Sequence, residues 1–393
     1  MPKVYCDRIA ATPLLPEVRE AMRPYLEGAF GNPQSLHAAG REAQEAVEGA
    51  RAQVAALVGA RPDEIYFAAS GSEANNFALK GLALGQQSKG RHLVVSAVEH
   101  SSVLNSVKAL ERLGFTSSLV PVDRAGLVDP ADVAKALTEE TTVVSVMTAN
   151  SEVGTIQPVA EIAAVCRERG VLFHTDAVAA AGSVALDVKA LGVDALSLAG
   201  DQFYGPKGSA ALFVRKGVRV LPLVDGGIQE GGRRGGTENV PAIAGLGAAA
   251  RLAARDMAAR SAALIPLRDR LLEGLPERIE RVVVTGPRTG RLPHHASFCV
   301  EFVEGEGMLL FLDMKGVAVS SGSACTSKSL KASHVLLAMG YDHALAQGSL
   351  VFSLVDGTTA ADVDYILETF PPIVDRLRKM SPLYTAFLKE RGS

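Results

Sequence analysis

Ser70-Gly71-Ser72 stands where a short apolar run gives way to a helical pattern. Free backbone N–H groups and a helix dipole at such a junction favour a phosphate. The same serines would also cap the helix with no ligand present. His174-Thr175-Asp176 closes another apolar run, while His100 and Asp201 follow two more. A histidine with two carboxylates, here His100, Asp176 and Asp201, has the composition of a metal set, although such polar clusters are often structural. Cys325 lies in Ser320-Ser-Gly-Ser-Ala-Cys325-Thr-Ser, whose small polar residues predict an exposed loop. As a thiolate it could carry a persulfide or ligate iron, whereas Cys166 and Cys299 read as small buried hydrophobes.

These residues need a scaffold. Runs at 65–68, 92–96, 142–147, 171–174 and 195–198 read as buried strands, and 73–84, 101–113 and 159–169 carry helical periodicity. That alternation predicts a mostly parallel sheet covered by helices. An Ala-rich stretch, 241–272, predicts long helices with a domain boundary near 262. Beyond it come strands at 281–285 and 296–302, a helix at 332–339, a strand at 350–354 and a helix at 360–379. The expected division is a large α/β domain, 1–261, and a smaller α+β domain, 262–393, with the first ~12 residues packed on the small domain.

Composition excludes several classes. Of 393 residues, 48% are hydrophobic and 21% charged, as in ordinary globular proteins, and the formal net charge is −3. That balance gives no electrostatic case for nucleic acid or an anionic membrane. No apolar run approaches a transmembrane length, and the N-terminus lacks the build of a signal peptide, so a cytoplasmic location is expected. Cys6, Cys166, Cys299 and Cys325 form no CxxC pair and read as free thiols.

Residues 199–208, Ala-Gly-Asp201-Gln202-Phe-Tyr-Gly-Pro-Lys207-Gly, resemble the cofactor-lysine segment of the cysteine desulfurases of the NifS/IscS type. Gly31-Asn-Pro-Gln-Ser, Val98-Glu-His100-Ser-Ser, Gly226-Gly-Ile-Gln-Glu, Gly236-Thr237-Glu-Asn-Val, the Cys325 loop and Ser381-Pro-Leu-Tyr match in order. The resemblance runs from about Tyr5 to Tyr384. It implies the fold type I, class V aminotransferase architecture of pyridoxal phosphate (PLP) enzymes, with a seven-stranded, mostly parallel sheet, in a homodimer. It also implies that Gly71 and Ser72 hold the cofactor phosphate and that His100 stacks on the ring as an acid/base. Asp176 would pair with the ring nitrogen, and Thr237 would reach a phosphate across the dimer. Cys325 would carry the persulfide, and the C-terminal segment would dock an IscU-type scaffold.

Six positions depart from that pattern. Gln202 replaces the lysine that forms the Schiff base, and an amide nitrogen is not nucleophilic. Asp201 replaces a phosphate-binding histidine, Ala199 a phosphate-binding serine and Ala179 a glutamine that bonds the ring hydroxyl. Ser151 replaces an asparagine that touches cofactor and substrate, and Val351 the arginine that clamps the substrate carboxylate. At roughly 1 kcal/mol per net hydrogen bond, three or four lost anchors weaken binding by about 10²–10³-fold, before the lost covalent bond is counted. Lys207 has a counterpart in the family beside the catalytic lysine and needs no new role. The expectation is therefore a desulfurase-like protein without a covalent cofactor. It would act through Cys325 as sulfur carrier or as ligand to a [2Fe–2S] cluster shared with a scaffold. Two alternatives stay open: an enzyme holding PLP non-covalently (or a cofactor-free lyase using Asp176, Asp201 and His100), and a regulatory dimer partner.

Overall fold

The computed structural model describes residues 3–322 and 332–391. Seven strands form the main sheet: β2 (Ile65–Ala68), β3 (His92–Ser96), β4 (Thr116–Val120), β5 (Thr141–Ser145), β6 (Leu172–Asp176), β7 (Ala195–Ala199) and β8 (Ala210–Val214). Their order is β2-β8-β7-β6-β5-β3-β4, preceded in the chain by a short β1 (Val4–Tyr5). Strands β4, β3, β5, β6 and β7 run parallel, and β8 is antiparallel to both of its neighbours. The central strands are apolar on both faces because helices cover both, as a parallel sheet requires.

Within this sheet the sequence reading misses two strands. Thr116–Val120 is an edge strand with mostly unburied residues, so it shows no apolar run. Ala210–Val214 is fully buried but follows the Gly-Pro-Lys-Gly turn directly, and the turn signal masks it. The elements that the sequence reading does name shift at their boundaries by a few residues, and the helices Pro16–Glu27, Ala38–Val58 and Gly305–Asp313 are missing from it. The stretch read as several helices is one, Val240–Arg278, capped by Asn239 with Pro241 in its first turn. Its small residues let it lie close against the helix Ala38–Val58: a methyl on Gly247 would fall 2.5 Å from Ala50 Cα.

Residues of that long helix up to Ala253 join the core under the main sheet, and those from Leu264 join a second core. The second core lies on the antiparallel sheet of β9 (Val282–Val284), β10 (His295–Val300) and β12 (Ser349–Ser353), in the order β12-β10-β9. Phe298, Phe352 and Phe370 interlock there edge to face, at 6.1 and 5.9 Å between ring centres. The N-terminal segment is stitched to this part of the molecule. β1 pairs with β11 (Val317–Ala318), Ser353 N–H donates to Cys6 C=O, and Val4 and Cys6 belong to the second core. At the other end, the helix Pro382–Arg391 stacks Phe387 on Phe302 at 4.9 Å, with the Arg281 guanidinium 4.2 Å from the Phe387 ring centre.

Candidate active site at the carboxyl ends of the strands

Parallel sheets place ligands beyond the carboxyl ends of their strands, and the predicted residues gather there. Asp176 is the last residue of β6 and is 5% exposed. Its Oδ1 accepts from Val178 N–H at 2.9 Å and its Oδ2 from Asn75 Nδ2 at 2.6 Å. Burial raises its pKa, and the nearby His100 acts in the opposite direction. Asn75 also donates to Ser102 Oγ at 2.9 Å, while its own Oδ1 is buried and has no partner.

His100 caps the helix Ser101–Glu111, its Nδ1 accepting from Ser102 N–H at 3.1 Å. A neutral His100 ring therefore carries its proton on Nε2. Ser102 Oγ lies 2.7 Å from the same Nδ1, so His100, Ser102, Asn75 and Asp176 form one polar chain. Behind it, His174 is held between Ser145 Oγ at 2.8 Å and Ser197 Oγ at 2.9 Å. Burial pushes it down to about 3, so it is a neutral fixture under the site.

Glu99 is a further acid that sequence reasoning missed. Fully buried, it accepts from Ser96 Oγ at 2.6 Å and Met147 N–H at 2.8 Å through Oε1, while Oε2 has no partner. Burial pushes its pKa up to about 8. Its sequence signals are a charge three residues after β3 and its place inside the Val98-Glu-His100-Ser-Ser motif, which was read for His100 alone. Asn75 is missed as well, because nothing in the sequence separates it from the exposed polar residues of its helix.

The cradle helix, Gly71–Gln86, begins beside this chain. Ser70 Oγ accepts Glu73 N–H at 3.1 Å, and Glu73 Oε2 accepts Ala69 N–H at 3.0 Å. A methyl on Gly71 would fall 2.7 Å from Val178 Cγ2 and 3.5 Å from Ala199 Cβ, so both side chains wall the cradle closely. Ser72 is exposed at its rim. Thr237 is also exposed, three residues past Arg234, whose Nε meets Glu73 Oε1 at 2.9 Å.

The 3₁₀ turn Gly200–Gln202 follows β7. Gln202 Nε2 donates to Ile9 C=O at 3.3 Å, and its own carbonyl accepts from Arg8 Nη2 at 3.3 Å. Thr12 N–H and Oγ1 both donate to Asp201 C=O at 2.8 Å. Residues 8–12 thus strap this turn down. Arg8 is fully sequestered, bonded also to Ser183 Oγ at 2.8 Å and Tyr204 Oη at 3.2 Å. The Asp201 carboxyl is half-buried, which raises its pKa against the pull of Lys207; Lys207 itself is exposed.

Other departures are equally plain. Val351 is 1% exposed in β12 and pairs through its backbone with Ser320. Ser151 accepts on its carbonyl from His295 Nε2 at 2.8 Å, and Ala179 is a half-buried methyl. Among the described residues no three His, Cys, Asp or Glu side chains are grouped to hold a metal, so His100, Asp176 and Asp201 do not assemble as one. Burial keeps them on separate elements, with Asp176 turned into the Asn75 chain. Cys325 lies outside the described residues. The other three cysteines are buried, each with its thiol pushed up to about 12 by burial.

A seven-stranded, mostly parallel sheet with its polar chain at the strand ends and a second small sheet is the architecture of the PLP-dependent aminotransferase fold. The Aminotransferase class-V pattern matches residues 4–366, and the chain belongs to that family. Within it the chain is similar to cysteine desulfurases. The chain is 47% identical over 380 residues to the cysteine desulfurase IscS of Dictyoglomus turgidum, covering 97% of this chain and 96% of that one. It is likewise 47% identical over 380 residues to IscS of Methanosarcina thermophila, covering 97% and 94%. A solved NifS-like protein superposes with a TM-score of 0.90 at 35% identity, covering 96% of this chain and all of the other. No described helix is long and apolar enough to cross a membrane.

Proposed function

We propose that this member of the cysteine desulfurase family does not use a covalently held cofactor and serves iron–sulfur cluster assembly through Cys325. The observation that carries the reading is Gln202. The position matching the family's lysine is an amide, and that amide is spent on Ile9 C=O. PLP, when bound in this fold, supplies an electron sink for chemistry on an amino acid. Asp176, whose hydrogen-bond partners are Asn75 and the Val178 N–H, and the unpartnered Asn75 Oδ1 suit the ring nitrogen of such a group. Nothing at Gln202 suits its aldehyde, and Ala199 and Val351 offer no donor to its phosphate or to a substrate carboxylate. The residues therefore do not fit the cofactor as the family uses it.

Cys325 has two uses that need no such cofactor. Its thiolate can take a ligand position on iron, or it can attack the outer sulfur of a donor persulfide. In the second case the donor S–S bond breaks as the new one forms, and the donor leaves as a thiolate with no net redox change. A [2Fe–2S] cluster needs about four ligands, so a partner of IscU type would supply the remaining three. Exposed Leu383 and Leu388 on the terminal helix suit a docking tail. Exposed Thr237, together with Phe30 and Leu36, each 91% exposed, suits a homodimer face. The test is anaerobic co-isolation with an IscU-type scaffold, comparing the unmodified chain with Cys325→Ser. Loss of cluster from the mutant complex is expected, and equal cluster content in both would end the proposal.

A further inference from the structure

Two carboxyls that the site above does not use hold the chain on either side of the stretch that contains Cys325. On the entering side, Ser320 Oγ donates to Asp7 Oδ1, while the Ser320 backbone pairs in both directions with Val351 of β12. On the returning side, Ser333 Oγ donates to Glu152 Oε2. Asp7 directly precedes Arg8 of the strap, and Glu152 lies in the turn that Asn150 N–H closes on Thr155 C=O at 2.9 Å.

The two ends of the stretch meet at Glu152. Gly322 N–H donates to Ser349 Oγ of β12 at 3.2 Å. A methyl on Gly322 would fall 2.9 Å from Glu152 Oε2 and 3.6 Å from Ser333 Cβ, so one carboxyl oxygen lies against both the outgoing and the returning chain. Glu152 is itself fixed. Its N–H donates to Asn150 Oδ1 at 2.8 Å, and His295 Nε2 donates to the neighbouring Ser151 C=O at 2.8 Å. Ser333 in turn caps the helix His334–Ala338 by accepting Leu336 N–H at 3.2 Å, and His334 Nε2 donates to Glu99 C=O at 2.9 Å. Burial pushes the Glu152 carboxyl up to about 7, and the Ser333 hydroxyl acts in the opposite direction because it favours the charged form. A hydroxyl on a carboxylate is a charge-assisted contact, stronger than one between neutral groups.

We propose that Glu152 and Asp7 are positioning residues for Cys325, clamping the two ends of its stretch and so fixing where the thiol is presented. Cys325 stands three residues beyond Gly322 in the sequence. A chain advances at most ~3.6 Å per residue, so the place at which Gly322 is held bounds where that thiol can act. The proposal rests on the reading that Cys325 carries the function, and it names the residues that direct it.

The test places a nitroxide on Cys325 of the full-length protein, with Cys6, Cys166 and Cys299 buried. Its room-temperature electron paramagnetic resonance spectrum is read at about pH 8.5, above the Glu152 value, and well below each variant's unfolding midpoint. Glu152→Ala should shift the spectrum toward fast motion, with the slow component falling several-fold. Glu152→Gln keeps an acceptor for Ser333 and should restore most of it. Gly322→Ala, whose methyl displaces the carboxyl, should reproduce the Glu152→Ala spectrum and add nothing when combined with it. Asp7→Ala should also shift the spectrum and should add to Glu152→Ala, because the two acids hold different ends. A general loss of stability would show in the unfolding midpoints and would not yield this pattern of additive and non-additive pairs. Should Glu152→Ala fail to fold, Gly322→Ala decides alone. The proposal is overturned if Gly322→Ala leaves the spectrum unchanged, if its effect adds to that of Glu152→Ala, or if Asp7→Ala has no effect. If Cys325→Ser leaves cluster content unchanged in the scaffold complex, the reading of Cys325 fails, and the nitroxide spectra still decide whether the clamp holds.

Discussion

Asp176 and Gln202 lie at the carboxyl ends of neighbouring strands and have opposite surroundings. Asp176 sits in an intact polar chain through Asn75, Ser102 and His100, with His174 locked beneath. Gln202 sits in a turn strapped by residues 8–12, where its side chain serves the backbone of Ile9 rather than the cleft. The difference separates what the fold keeps for architecture from what chemistry would demand. His174 and Asp176 are tied to the sheet whether or not a ligand is present. Residue 202 has no such tie to the sheet, and in this chain it has become part of a structural seam.

If that comparison holds, its largest consequence is kinetic. Sulfide release from free cysteine should stay at the free-cofactor background with or without added PLP, and Gln202→Lys alone should not recover it, because Val351 still provides no carboxylate clamp. A colorimetric sulfide assay decides this, and turnover well above background in the unmodified protein would break the comparison at its Gln202 side. Next in size is thiol reactivity. Cys6, Cys166 and Cys299 are buried with thiols raised to about 12. In native protein they should label roughly 100-fold more slowly than Cys325. Equal labelling, read by peptide mass spectrometry, would leave Cys325 without a distinct role.

The strap makes a stability prediction. Arg8 gives hydrogen bonds to Ser183, Tyr204 and Gln202, and its guanidinium packs 5.2 Å from the Tyr204 ring centre. Arg8→Ala should destabilise the fold by about 3 kcal/mol in chemical denaturation, through unmet buried acceptors and a lost side chain. A change below about 0.5 kcal/mol would mean that the seam is not structural.

A pH-dependent test sharpens the Asp176 side. Glu99 has its folded pKa raised from 4.5 to about 8, so its acid form is the one the fold stabilises. That stabilisation is fully present below the ordinary carboxylate range and is lost as pH rises through about 8, at up to about 1.4 kcal/mol per pH unit for one proton. Glu99→Gln keeps the acceptor for Ser96 and Met147 and cannot ionise. Its unfolding midpoint should fall less than the unmodified protein's between pH 5 and 9, and parallel curves would contradict the assignment.

Much of this was legible in the sequence because it rested on local signals. β-branched runs marked the central strands, and ordered motifs brought Gly71, His100 and Asp176 to one end of the sheet. The misses have physical causes. The edge strand Thr116–Val120 is solvated, so it carries no apolar pattern. Arg8, Asn75 and Glu99 are polar residues whose burial comes from elements far away in the chain, and residue type alone points the other way. The metal set suggested by His100, Asp176 and Asp201 was an arrangement by type, and tertiary packing did not bring the three together.

The central claim is that Gln202 leaves this chain without a covalent cofactor. Its most direct test is to incubate the protein with PLP, reduce with borohydride and measure intact mass and peptides. The account predicts no stoichiometric adduct, with any residual labelling spread over exposed lysines. One PLP per chain fixed on a single lysine, Lys207 above all, would contradict it.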